Sequence, residues 1–165
     1  MAEALEAVAN DDGARVAVFH GAHGHFCAGW DLQYGARLAA SGDTSGLEPS
    51  LDGTTPAAAF NLITLAMIAG TPIMPDLTGH VVMVEEVAEH LYAIDRMFFH
   101  LAGTLPRLAG LRLGSVTDVP ENYVEFGQSE EDIARFWCDR AGIPYLGRAL
   151  IGHTSANRVV PFGLA

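Results

Sequence analysis

The chain has 165 residues, half of them hydrophobic, and its 20 carboxylates outnumber nine basic side chains to give a formal net charge of -11. All nine basic residues are arginines, so reactions that need a lysine, such as Schiff-base formation, are excluded. The negative charge repels polyanions, so we expect neither nucleic acid nor a membrane as a partner. A small molecule or a peptide is the favoured partner.

The cysteines and the first residues favour a cytoplasmic protein. Two cysteines, Cys27 and Cys138, are too few for a disulfide framework. The first six residues are acidic where a secretory signal would be basic. The uncharged stretch at 53–75 includes a helical part shorter than the roughly 20 residues that cross a bilayer.

The first 40 residues predict a helix–strand–helix segment. Residues 2–9 have helical spacing, residues 15–20 form an apolar run of strand length, and Asp31 can cap a helix to about residue 40. Residues 41–56 are rich in Ser, Gly and Pro and predict a linker. The predicted division is therefore 1–40, a linker at 41–56, and a second domain at 57–165.

The second domain has the pattern of an α/β fold. We predict a helix at 57–69, a Pro-rich turn at 71–78 and a strand at 80–85. A helix follows, with five apolar residues at helical spacing that should be buried on one face: Leu91, Ile94, Met97, Phe98 and Leu101.

The rest of the domain continues this alternation. A short strand is predicted at 110–114, and Ser129 with Asp132 resembles a capping box that starts a helix ending near residue 141. Short strands near 143–151 and 158–162 complete the prediction.

Four potential metal ligands lie close together before residue 28: His20, His23, His25 and Cys27. Zinc sites usually draw pairs of ligands from two separate places in the chain, whereas these four run from a strand into one glycine-rich loop. We therefore expect no bound zinc, and no other metal or cofactor is indicated.

The same region resembles the crotonase family of enoyl-CoA hydratases and isomerases over about residues 4–40. The residues that carry the resemblance include Val16-Ala-Val18, Gly21 and Phe26-Cys-Ala-Gly-Trp-Asp-Leu32. In that family the backbone N–H at the position of Trp30 is one of two donors of an oxyanion hole for an acyl-CoA thioester. The second donor and the catalytic carboxylates of a crotonase have no counterpart downstream.

A longer resemblance, over about residues 57–165, is to the C-terminal domain of the LD-carboxypeptidase family, which includes muramoyltetrapeptide carboxypeptidases and microcin self-immunity peptidases. It is carried by an ordered series of short motifs: Asn61-Leu62, Gly70-Thr71-Pro72, Pro75-Asp76-Leu77, Val84-Glu85-Glu86-Val87, Ile94-Asp95-Arg96-Met97, Gly110 to Gly114, Gly142-Ile143-Pro144, Gly152-His153 and Pro161-Phe-Gly163. Ala59-Phe60 replaces the Gly-Gly that usually precedes the asparagine of the first motif.

The resemblance implies two catalytic residues. The family uses a Ser–Glu–His triad, in which the glutamate corresponds to Glu85 and the histidine to His153. A carboxylate at a strand end can orient the histidine and stabilise its imidazolium form. The alternatives are a solvated acid beside Glu86 and an imidazole on a surface loop.

The nucleophilic serine of the family belongs to an N-terminal domain without a counterpart here, and no Gly-x-Ser-x-Gly motif is present. Ser115 follows a predicted strand, but a structural role is the expectation for it. By resemblance the activity is hydrolysis of an L–D peptide bond in a cytoplasmic muropeptide, with an incomplete active site. The alternatives are a non-catalytic peptide-binding remnant of a fusion and an acyl-CoA-binding crotonase-like fragment, while a homodimer is left open.

Overall fold

A computed structural model describes residue 41, residues 46–48 and residues 54–160, and all structural statements concern these residues. The helices and strands are, in chain order, β1 (Ala57–Asn61), α1 (Leu62–Ile68), β2 (Val81–Val87), α2 (Leu91–His100), β3 (Gly110–Thr117), α3 (Glu130–Ala141) and β4 (Tyr145–Arg148). Two single 3₁₀ turns, Leu101–Gly103 and Leu105–Arg107, connect α2 to β3.

The four strands form one parallel sheet in the order β1-β2-β3-β4. Parallel neighbours need crossover connections, and here each crossover contains one helix. The predicted helix at 57–69 is wrong in its first part, because Ala57–Asn61 pairs with β2 as an edge strand. The helix begins only after Asn61, whose side chain accepts a hydrogen bond from the N–H of Thr64 and caps it.

One face of the sheet carries the larger hydrophobic core, to which the helices contribute their apolar sides. Of the five residues predicted on one helix face, Ile94, Met97, Phe98 and Leu101 are buried and Leu91 is half-buried against the same core. The helical period in the sequence therefore identified the buried face correctly, although Leu101 lies in the 3₁₀ turn after α2.

The opposite face of the sheet carries a smaller core of Ala57, Val81, Met83, Ala149 and Ile151. None of the helices that the structure describes contributes to this smaller core, in which residues of β1 and β2 contact the chain that follows β4. The polypeptide after β4 is therefore fixed against the sheet.

The predicted capping box is confirmed at the start of α3. The Ser129 hydroxyl accepts from the backbone N–H of Asp132, and the Asp132 carboxylate accepts from the backbone N–H of Ser129. The Ser129 hydroxyl also donates to the Asp132 carboxylate, and this bond, together with that from the Ser129 N–H, lowers the pKa of the Asp132 carboxyl. Gly142, in the left-handed conformation at φ 70°, ends the helix.

The predicted strand near 158–162 is reduced to a single parallel bridge between Val159 and Leu47 within the described part of the chain. The helix–strand–helix segment, the His20–Cys27 cluster and Trp30 lie outside the described residues, so their predictions stay untested. No helix among residues 54–160 or the short described pieces before them is long and apolar enough to cross a membrane.

We predict that Phe98→Ala lowers the free energy of unfolding by about 3–5 kcal/mol, because it removes a fully buried aromatic ring from the larger core. The neighbouring Phe99 is the matched control. Its ring is 66% exposed and contacts Trp137 edge-on, so Phe99→Ala should cost about 1 kcal/mol. Urea denaturation followed by circular dichroism measures both values, and equal losses would contradict this core.

Candidate functional site

The carboxyl end of β2 carries two adjacent buried acids, Glu85 and Glu86, which are 9% and 2% exposed. Side chains of a strand alternate between its faces. Val82 and Val84 contribute to the larger core, so Glu86 lies on the face of that core. Val81 and Met83 contribute to the smaller core, so Glu85 lies on the opposite face. Each face of the sheet therefore receives one carboxylate.

Glu86 is bound to the start of α1. Its carboxylate accepts from the Asn61 side-chain amide at 2.9 Å, from the Ile63 N–H at 2.8 Å and from its own neighbour, the Val87 N–H, at 2.9 Å. A carboxylate that receives donors from a helix N-terminus is stabilised in its charged form. Glu86 thus has a structural role, joining β2 to α1.

The chain after β4 brings His153 to Glu85. The Ala149 N–H donates to Leu113 O at 2.9 Å, and the Ser115 N–H donates to Ile151 O at 2.8 Å. The polypeptide therefore continues alongside β3 beyond the last residue of β4. It reaches the carboxyl end of the sheet at Gly152, directly before His153.

Two glycines make this approach possible. A Cβ atom on Gly114 would lie 2.6 Å from Ile151 Cγ1 and 3.0 Å from Glu85 Cβ. A Cβ atom on Gly152 would lie 2.0 Å from the Ser115 hydroxyl oxygen and 3.2 Å from Glu85 Oε2, and Gly152 has a φ of +119°. Any side chain at either position would force the chain that carries His153 away from Glu85.

A register shift in the β2–β3 pairing lies at the same place. Val84 is opposite Leu113, but Glu86 is opposite Val116, so β3 has one more residue than β2 in this interval. A bulge of this kind bends a strand and redirects its side chains, and bulges are frequent beside functional sites. The extra residue lies in the Gly114–Ser115 pair that adjoins Glu85.

His153 Nδ1 lies 2.8 Å from Glu85 Oε2, so the structure brings together the two residues that the sequence predicted. The Glu85 side chain is 11% exposed and that of His153 is 52% exposed. An ionised carboxylate can only accept, so Nδ1 must carry the shared proton. In the neutral ring the lone pair of Nε2 is then free to accept a proton. A general base needs this tautomer.

Ser115 is close to this pair without joining it. Its hydroxyl oxygen is buried and has no hydrogen-bond partner among the described residues. This oxygen lies against Gly152, the residue before His153. A nucleophile must be reachable by substrate, so the structural role predicted for Ser115 agrees with its position.

The described residues include an open cavity of about 680 Å³ at the end of β3. Residues 119–122 and 125–129 line it together with Leu91 and Asp132, and neither member of the Glu85–His153 pair does. Across the described ranges no group of three or more His, Cys, Asp or Glu side chains could hold a metal ion.

Sequence reasoning missed the contributions of Glu86, Asn61, Gly114 and Gly152 to this arrangement. An asparagine directly before an apolar run is a helix start signal, and it could have placed the start of α1 correctly. No local signal shows that the two glycines face Glu85, since that depends on pairing between strands distant in sequence.

Comparison with known proteins gives two family matches. Residues 56–165 match the model of the LD-carboxypeptidase C-terminal domain, and residues 1–81 match the model of enoyl-CoA hydratase/isomerase. The chain is thus similar to the crotonase family over a longer segment than the predicted 4–40. The two matches overlap at residues 56–81, which include β1 and α1.

Individual relatives agree with the first match. A Bacillus subtilis protein named as a murein peptide carboxypeptidase is 32% identical over 105 residues, which are 62% of this chain and 33% of the relative. A Synechocystis protein named as a carboxypeptidase is 29% identical over 64% of this chain and 36% of its own length.

Among solved structures, the crystal structure of muramoyltetrapeptide carboxypeptidase from Oxalobacter formigenes is 30% identical with a TM-score of 0.61, covering 70% of this chain and 40% of that one. The chain spans between one third and two fifths of the length of these relatives. Two thirds of its residues, including Glu85 and His153, lie within the family match. The chain belongs to the LD-carboxypeptidase family through its C-terminal domain.

Proposed function

We propose that residues 56–165 supply the acid and the base of a serine-type LD-carboxypeptidase site that acts on the L–D peptide bond of a muropeptide. The observation that carries the proposal is the 2.8 Å contact between His153 Nδ1 and Glu85 Oε2 inside the family-matched segment. The names of the Bacillus subtilis and Oxalobacter formigenes relatives support the substrate class.

In this proposal Glu85 holds the proton on Nδ1, and Nε2 of His153 takes the proton of a serine hydroxyl as that oxygen attacks the peptide carbonyl. The buried carboxylate stabilises the imidazolium that forms, and the imidazolium then protonates the leaving amine. Burial of Glu85 strengthens this electrostatic stabilisation, because little water screens it. The exposed imidazole remains reachable by substrate.

In this proposal the nucleophilic serine comes from a second, different chain. Burial of the Ser115 hydroxyl argues against its use. The same observation favours the alternative function, a peptide-binding domain that retains the Glu–His pair and performs no chemistry. The two functions differ in turnover, not in fold. An acyl-CoA-binding role would rest on Trp30 and on the enoyl-CoA hydratase/isomerase match alone.

We predict that the full chain cleaves a muropeptide tetrapeptide only at a trace rate, about 10³-fold or more below that of a complete triad enzyme, because nucleophile and base act as a unit. Product release is measured by chromatography. His153→Ala should remove the remaining activity. His100→Ala is the control, since His100 is an exposed histidine at the end of α2.

Robust turnover would contradict the incomplete site. If that turnover disappears in both His153→Ala and Ser115→Ala, then Ser115 is the nucleophile after all. If it disappears in His153→Ala and survives in Ser115→Ala, another serine acts.

We predict that Gly114→Ala separates the Glu85–His153 pair, because the added methyl group collides with Ile151 and crowds Glu85. The variant should lose about 1–3 kcal/mol of unfolding free energy, as overpacked sites do. In ¹⁵N NMR spectra, neutral His153 should change from the Nδ1–H tautomer to the mixed tautomers of a free imidazole.

Gly103→Ala is the matched control, since nothing lies within 4 Å of the added atom. It should change stability by less than about 1 kcal/mol and leave the His153 tautomer as it is. An unaltered tautomer in Gly114→Ala would show that the close approach at Gly114 does not govern the pair.

A further inference from the structure

His153 lies on an exposed loop that is closed at its base. We call residues 150–158 the His153 loop. The N–H of Arg158 donates to Leu150 O at 2.7 Å and joins the two ends, while residues 153–157 are all exposed. The start of the loop is fixed by buried Ile151. The position of His153 therefore depends also on what fixes the other end.

That other end is bound to residues 46–48. The N–H of Val159 donates to Gly46 O at 2.9 Å, and the N–H of Glu48 donates to Val159 O at 2.8 Å, forming a parallel bridge between Leu47 and Val159. These residues precede the segment 56–165 that matches the LD-carboxypeptidase family. A short stretch outside that match thus contacts the end of the His153 loop.

The Glu48 side chain connects this stretch to the sheet. Glu48 is 2% exposed, and its Oε1 lies 2.7 Å from Arg112 Nη1 on β3. The Arg112 guanidinium also donates to the backbone oxygen of Arg148 at the end of β4. Glu48 is therefore bound to β3 directly and, through Arg112, to the end of β4, after which the His153 loop begins.

The second carboxylate oxygen faces the loop itself. Glu48 Oε2 is buried without a hydrogen bond among the described residues, and Arg158 Nη1 lies 3.9 Å from it. A buried carboxylate oxygen without a hydrogen bond is unfavourable even when the other oxygen is paired, so Oε2 attracts the Arg158 guanidinium. Arg158 is the residue whose backbone N–H closes the loop.

We propose that Glu48 is a positioning residue for His153: by binding Arg112 on the sheet and attracting Arg158 at the loop base, it holds the imidazole within reach of Glu85. This inference rests on the proposed function, because it assigns Glu48 to the same Glu85–His153 pair. It adds to the pair an acid from a part of the chain that the LD-carboxypeptidase match does not cover.

The test uses the full chain and two variants, Glu48→Gln and Arg158→Gln. The first retains the shape of Glu48 and removes its charge; the second alters a side chain that is 42% exposed, so folding should survive. We expect the Val159 amide proton to exchange about tenfold faster in each variant, as local opening becomes easier. The Nδ1–H fraction of neutral His153, read from ¹⁵N NMR, should fall in parallel.

Glu131→Gln is the control, because it removes an exposed ion pair with Arg135 at 2.6 Å on α3 and should alter neither readout. Exchange of the buried Val82 amide reports global opening in every variant. Suppose that Val159 exchange rises only as much as Val82 exchange and that the His153 tautomer is unchanged. Glu48 then only stabilises the fold and does not position His153, and the proposal is overturned. If the unaltered chain already lacks the Nδ1–H tautomer, the Glu85–His153 pair and the proposed function fail with it.

Discussion

Two adjacent carboxylates at the end of a buried strand impose the main constraint on this structure. They lie on opposite faces of the sheet, and each needs its own hydrogen-bond donor. Glu85 and Glu86 are both buried, and neither can remain ionised there without donors. Glu86 is satisfied locally, by the first turn of α1 and by Asn61. Among the described residues no helix packs on the face of Glu85, and its partner comes from far along the chain, because the polypeptide after β4 follows β3 and delivers His153.

The sequence predicts local features well, and it predicts contacts between distant parts of the chain poorly. The buried side of α2 and the capping box of α3 are local patterns, and both were predicted correctly. The strand at Ala57–Asn61 was predicted as the start of a helix, and its three alanines do have high helical propensity. Pairing with β2 overrides that propensity, and pairing is not visible in a short window of sequence.

The candidate site shows the same division. Glu85 and His153 were found through an ordered series of motifs, and the structure places them in contact. The spaces left by Gly114 and Gly152, the bulge in β3 and the ion pairs of Glu48 are products of tertiary packing. Nothing in the identity of these residues distinguishes them from turn glycines or surface acids, since their effect depends on neighbours distant in the sequence.

The partners in the Glu85–His153 pair are separated by 68 positions, and this separation bears on the order in which the domain can fold. During synthesis β2 and α2 exist long before the polypeptide that carries the imidazole. Contacts between distant residues form late, because closing a long loop costs entropy before the contact repays it. For that interval Glu85 lacks its imidazole partner. The hydrogen bond to His153 can therefore form only when the last part of the domain is present, and a chain interrupted before residue 153 would leave the Glu85 carboxylate without its imidazole donor.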